Sequence, residues 1–176
     1  MKWLRKLCLV HMLLGLPLPA LAAQGMVAWP EGWVVDALPD PGDEAPQRER
    51  ATHKDANGDP QLVMEITRSR LQPGHVVNLQ GVLLEMRKAV QQNFAREGFQ
   101  SVCTHVRDTR LSELPAVETT CTVAQNGVHV MTQTLVAAVS QDHAWSMSYA
   151  GSAQGYEAGK DEVQHIRDSL RLQTEQ

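Results

Sequence analysis

AVETTCTVAQNGVHVMTQTLVAAVS, residues 116–140, holds two runs of β-branched and apolar residues on either side of Asn126-Gly127. Asn-Gly between alternating apolar segments is the strongest short-range hairpin signal, because both residues tolerate the positive φ of a type I′ turn. A two-residue turn pairs Gln125 with Val128, Ala124 with His129, Val123 with Val130 and Cys121 with Thr132. Counting on through a second turn at Gln141-Asp142 brings Trp145, Met147 and Tyr149 onto the face of Val123, Val130, Val136 and Ala138, with Cys121 on that face too. Leu135 and Val139 point the other way. The count predicts an antiparallel meander covered on both sides.

Upstream, SVCTHVRDTR (101–110) leads through LSELP into the same hairpin, so Cys103 and Cys121 fall near each other on adjacent strands. Strict alternation would put His105 and Arg107 on the face of Cys103, and a bulge near Thr104 to Arg107, or an uncovered sheet end, resolves that conflict. A metal site using His129 would need a broken register, since the count places Cys121 and His129 on opposite faces. No Cys-x-x-Cys redox motif occurs.

The chain's first residues bear on these cysteines. MKWLRK carries Lys2, Arg5 and Lys6, an apolar run follows, and Ala20-Leu21-Ala22 offers an A-x-A cleavage site. This is the layout of a secretory signal peptide over residues 1–22, leaving one domain over 23–176 and a periplasmic or secreted location. The apolar run is too short for a span, so no stable membrane span is expected after cleavage. Three of the 16 basic and none of the 20 acidic residues lie in that leader, so the remainder carries a net charge of −7. Such an acidic domain is unsuited to nucleic acid. Two cysteines remain in an oxidising compartment, and Cys103–Cys121 reads first as a disulfide contributing about 3 kcal/mol.

The other elements follow from local pattern. Val34 and Val35 suggest a short strand, and the segments around Asn57-Gly58-Asp59-Pro60 a charged hairpin. Leu79, Val82, Leu83, Met86, Val90 and Phe94 recur at helical spacing up to Gly98, where Phe94 and Phe99 are placed for a Schellman contact. Gly151 to Gly155 reads as a strand-to-helix loop, and Val163, Ile166 and Leu170 mark a C-terminal helix.

Pro30-Glu31-Gly32-Trp33, Glu97-Gly98-Phe99, Trp145-Ser146-Met147-Ser148-Tyr149 and Asp168-Ser169-Leu170 stand in an order that resembles the PsbP/DcrB-like superfamily, and within it an uncharacterised family of secreted bacterial domains. The resemblance spans most of residues 29–172. It implies an α+β fold, an α/β/α sandwich whose mainly antiparallel sheet is flanked by a long central helix and a C-terminal helix. It also implies action largely by binding other proteins, as photosystem extrinsic subunits, secretion-effector chaperones and envelope lipoproteins do.

Chemistry-bearing motifs are absent. The histidines are scattered, with no H-x-x-x-H or H-E-x-x-H, and there is neither a G-x-S-x-G elbow nor a P-loop. No catalytic set, metal set or cofactor is expected. Trp29 and Trp33 are candidate interaction anchors, Trp33 alternatively sealing a sheet edge. Arg48, Arg50, Lys54, Arg68 and Arg70 could line a basic stripe. The expected function is a non-enzymatic exported domain that binds another envelope protein. The alternative is a small-ligand- or metal-binding domain with a pocket near Trp145, Met147 and Tyr149.

Overall fold

The computed structural model describes residues 26–39, 42 and 45–172. The expected leader, residues 1–22, lies outside the described residues.

The strands are β1 (Trp33–Val35), β2 (Gln47–Lys54), β3 (Pro60–Arg70), β4 (Gln100–Cys103), β5 (Arg107–Leu111), β6 (Leu114–Gln125), β7 (Val128–Val139) and β8 (His143–Ser152). They form one sheet in the order β1-β2-β3-β8-β7-β6-β4, with β5 also pairing β6, and every pairing is antiparallel. The helices are α1 (Leu79–Arg96), α2 (Ala153–Ala158) and α3 (Lys160–Asp168). The meander β6-β7-β8 was legible locally. Its junction to the first hairpin, β3 against β8 with Ile66 opposite Met147, joins segments far apart in sequence.

Turn chemistry sets the hairpins as expected. Asn126 and Gly127 take φ of 50° and 79°. In the first hairpin the Asp55 carboxylate accepts from the backbone N–H of Asn57 and Asp59, both at 2.9 Å, and so organises the Asn-Gly-Asp turn. Helix α1 begins with the Asn78 side chain accepting from Gly81 N–H at 3.0 Å and ends at Glu97 with Phe99 N–H bonded to Phe94 O. The rings of Phe94 and Phe99 meet edge to face, 6.1 Å apart.

Two details depart from the sequence reading and a third bears it out. A one-residue bulge between His129 and Met131 pairs Val123 with Met131 and Cys121 with Gln133, rather than with Val130 and Thr132. Because side chains alternate, that single residue moves Cys121 and Val123 to the face opposite Trp145 and Met147. The expected interruption near Thr104 is present: Cys103 pairs with Cys121 but Arg107 with Glu118, an offset of one residue that turns Arg107 away from the disulfide's face. Thr104 holds this break together, its backbone N–H donating to Thr120 O and its carbonyl accepting from Thr119 Oγ1, both at 2.9 Å. Finally, residues 151–155 are not a loop. Strand β8 runs through Ser152, whose Oγ accepts from Gly155 N–H and caps α2 directly, and Gly159 separates α2 from α3.

The two sheet faces carry separate cores. On the front face Ile66, Val136, Trp145, Met147, Ile166 and Leu170 belong to the larger apolar cluster, beneath α2 and α3. On the back face α1 packs over β4, β6 and β7, and Leu83, Val117, Leu135 and Ala137 form a smaller buried cluster there, with Cys121 and Val123 buried on the same face. Among the described residues no helix packs over the back of β3 and β8, which shows half-buried Val63, Glu65, Thr67, Ser146, Ser148 and Ala150. An antiparallel sheet tolerates this because one face can be solvated.

Candidate functional site

Cys103 and Cys121 sit directly opposite each other on β4 and β6 and form a disulfide across 18 positions of sequence. His105 lies in the break between β4 and β5 and His129 at the bulge, where its Nε2 is 2.8 Å from Thr132 Oγ1. Among the described residues no group of three or more His, Cys, Asp or Glu side chains could hold a metal ion.

The Trp29 and Trp33 rings meet at a tilt of 33° with centroids 5.4 Å apart, and Trp33 reaches His53 on β2 at 5.7 Å. Trp33 is 8% exposed and sits in the front core, where it closes the β1 edge of the sheet. Trp29 is half-buried against the same cluster. Trp145 and Met147 are buried outright, with the Arg68 guanidinium 5.8 Å above the Trp145 ring. Both belong to the buried apolar cluster of the front face. Tyr149 is half-buried and stacks on Tyr156, 5.3 Å apart and 11° from parallel. The basic residues of the first hairpin do not form one stripe. Arg48 pairs with Glu65 at 3.4 Å and Arg50 with Asp36 at 3.2 Å, while Arg68 is on the opposite face.

The densest polar chemistry is one the sequence reading missed. Arg167 on α3 is 5% exposed and donates through NH1 to Glu118 Oε2 at 2.7 Å, through Nε to Arg110 O at 2.7 Å and through NH2 to Thr109 Oγ1 at 2.6 Å. Glu118 Oε1 accepts from Arg107 at 2.5 Å. Burial pushes the Glu118 carboxyl up, but the hydrogen bonds and charges of Arg167 and Arg107 outweigh it and hold the group below its ordinary value. Alongside runs a hydroxyl chain: Thr120 Oγ1 to Thr134 Oγ1 at 2.7 Å, Thr134 to Tyr156 OH at 2.5 Å, and Tyr156 OH donating to Tyr149 OH at 3.3 Å. Burial raises the Tyr149 phenol well above its ordinary value, so it stays protonated near neutral pH.

This arrangement fixes helix to sheet. A carboxylate held between two guanidinium groups is a poor base, and a phenol with a raised pKa is a poor nucleophile. Half of the signal was present in the pattern: Arg167 occupies the stripe of Val163, Ile166 and Leu170, so a charge stands at a core position and needs a partner. Glu118 shares a face with Ala116 that only the bulge at Val130 turns toward Trp145 and Met147.

The surface offers a different feature. A cleft of about 520 Å³ at the start of α1 is lined by Val76, Val77, Val82 and Met86 with His75 and Glu85 among its polar walls. Val76 is 91% exposed, and Val82 and Leu84 are each 42% exposed. Among the described residues no helix is long and apolar enough to cross a membrane.

No curated protein matches the chain. In fold it is similar to the solution structure of cyanobacterial PsbP (CyanoP) from Synechocystis sp. PCC 6803, with a TM-score of 0.60 over 82% of this chain and 84% of that one. The sequence identity is 8%, so the likeness establishes a PsbP-like fold alone. A family model described as a domain of unknown function, DUF4946, matches residues 24–172, and the chain belongs to that family.

Proposed function

We propose that this is an exported, non-catalytic domain that binds another protein of the cell envelope. The observation that carries the reading is the apolar surface around the start of α1, where Val76 and Val82 stay exposed beside the cleft although the fold has a well-packed core to receive such residues. Contiguous exposed apolar surface marks interaction sites on soluble domains. Export rests on the leader pattern and accords with the Cys103–Cys121 bond, which persists in oxidising compartments. The absence of an enzymatic role is part of the proposal and rests on the lack of a catalytic motif and on the engagement of the buried polar groups: Glu118 is an ionised carboxylate clamped by Arg167 and Arg107, and the Tyr149 phenol stays protonated against Tyr156.

The test is site-specific photo-crosslinking in the native envelope, with the photoreactive residue at Val76 and, as control, at the exposed Ala56 in the β2–β3 turn at the opposite end of the sheet. A discrete protein adduct from position 76 and none from position 56 is expected. Equal, diffuse labelling from both positions, or native mass spectrometry of the purified chain showing a stoichiometric small-molecule adduct in place of a protein, would overturn the proposal.

A further inference from the structure

We propose that α1 and β4 form a detachable flap whose closure on the sheet is controlled by the redox state of Cys103–Cys121. The sheet's two cores are unequal and separate. The larger one lies on the front face, and none of its residues comes from α1 or β4. The flap is held from the back by four kinds of contact. Leu83 is the one fully buried residue of α1, packed on Val117, Leu135 and Ala137. Arg87 donates to Thr104 O at 3.4 Å, at the break just past β4, whereas the bond from Gln91 Nε2 to Ser101 O at 3.1 Å joins α1 to β4 inside the flap and does not hold it to the sheet. The β4 ladder on β6 is four residues long. The fourth contact is the disulfide, the one covalent bond among them.

Elements with few buried contacts open locally at a free energy well below global unfolding. A cross-link near the end of such an element removes most of its open states by closing the loop. Here the closed loop runs over 18 positions, from the end of the flap to a central position of β6. Cys103 is half-buried and Cys121 fully buried, so an incoming thiolate reaches Cys103 first. A dithiol reductant attacks Cys103 Sγ, the S–S bond breaks, and the Cys121 sulfur leaves and takes a proton. The reductant's second thiolate then resolves the mixed disulfide, giving two cysteine thiols and an oxidised reductant. The opened flap uncovers Val117, Leu135 and Ala137 on the back of the sheet while the front core stays intact.

Native-state hydrogen exchange read by mass spectrometry, on the processed chain with and without a dithiol, tests this. Amides of residues 79–103 are expected to exchange about a hundredfold faster after reduction, the factor carried by releasing a loop of this size. Amides of β3 and β8, and the near-ultraviolet dichroism of Trp145, are expected to be unchanged. Two results overturn the proposal: unchanged protection of α1 and β4 in a chain whose mass shows both cysteines reduced, or loss of protection that extends equally to β3 and β8. Cys103→Ala gives the same reading without reductant, and the reduction experiment on folded protein stands if that variant does not fold.

Discussion

Replacing Arg167 with methionine separates the buried charge from the packing around it. Methionine keeps an unbranched apolar stem on the stripe of Val163, Ile166 and Leu170, but it loses the bonds to Glu118, Thr109 and Arg110 O. Glu118, with its side chain 6% exposed, then depends on Arg107, whose own side chain is 72% exposed. Removing one partner of a buried ion pair typically costs about 3–5 kcal/mol, because the other charge is left uncompensated. The surviving Arg107 contact places the expected loss at the lower end, about 3 kcal/mol, a large share of the roughly 5–15 kcal/mol that holds a domain of this kind. With a urea slope of about 2 kcal/mol per molar, the midpoint should fall by about 1.5 M, read by tryptophan fluorescence. Glu118→Leu alone should be comparably costly. The double variant R167M/E118L should recover much of the loss, since an apolar pair of similar volume can replace a buried salt bridge at little cost. A single-variant loss below about 1 kcal/mol, or a double-variant loss equal to the sum of the singles, would refute the assignment of this pair as the bond between α3 and the sheet.

Two further outcomes follow from the same geometry. Because the folded state holds Glu118 below its ordinary carboxyl value of 4.5, its contribution is complete above that pH and disappears as pH falls through the lower folded value. Urea midpoints compared between about pH 6 and about pH 3 should fall more in the wild type than in Glu118→Gln, and parallel curves would contradict this. At Gly151 an added Cβ would lie 2.5 Å from Gln61 O and 2.9 Å from Leu62 Cδ2, a clash with backbone that cannot rotate away. Gly151→Ala should therefore lower stability by about 2–3 kcal/mol, while Ser148→Ala on the uncovered back of β8 should be close to neutral. Equal thermal midpoints for the two variants would contradict that packing.

What could be read from the residues was whatever local chemistry enforces. Asn126-Gly127, the helical spacing from Leu79 to Phe94 and the two late cysteines each restrict the chain within a few residues, and each produced the expected element. The bulge at Val130 has no such marker, since valine is an ordinary strand residue, and a count carried past it assigns every later pairing on β6 to the wrong face. The conflict at Cys103, His105 and Arg107 was visible because apolar and charged residues disagreed about one face, and the structure resolves it with a one-residue offset. Pairing of β3 with β8 depends on distant segments and was not legible from either alone. Trp145 and Met147 were placed on the correct face, but alternation does not distinguish a filled core from a pocket wall. Arg167 was readable in principle, as a charge in the apolar stripe of α3, but Glu118 was not, because the count that misses the bulge turns it away from Trp145 and Met147, and pairing the two required the fold that brings α3 over β6.

Both ends of the described chain meet at one place. Met26 and Val27 are buried in the front core, their backbone N–H groups donate to the Glu49 carboxylate, and Met26 O accepts from Arg171 N–H at 3.1 Å. An affinity tag or reporter domain fused after residue 172 would thus emerge beside residue 26, on the side of the sheet away from α1. The two ends are also close enough for a short linker to join them and for new termini to be cut at the Asn57-Gly58 turn, giving a circular permutant. In that permutant the segment carrying Met26 and the one carrying Leu170 become neighbours in sequence, while the β2–β3 hairpin, local in the natural order, becomes one of the longest-range pairings in the chain, so folding should be slower.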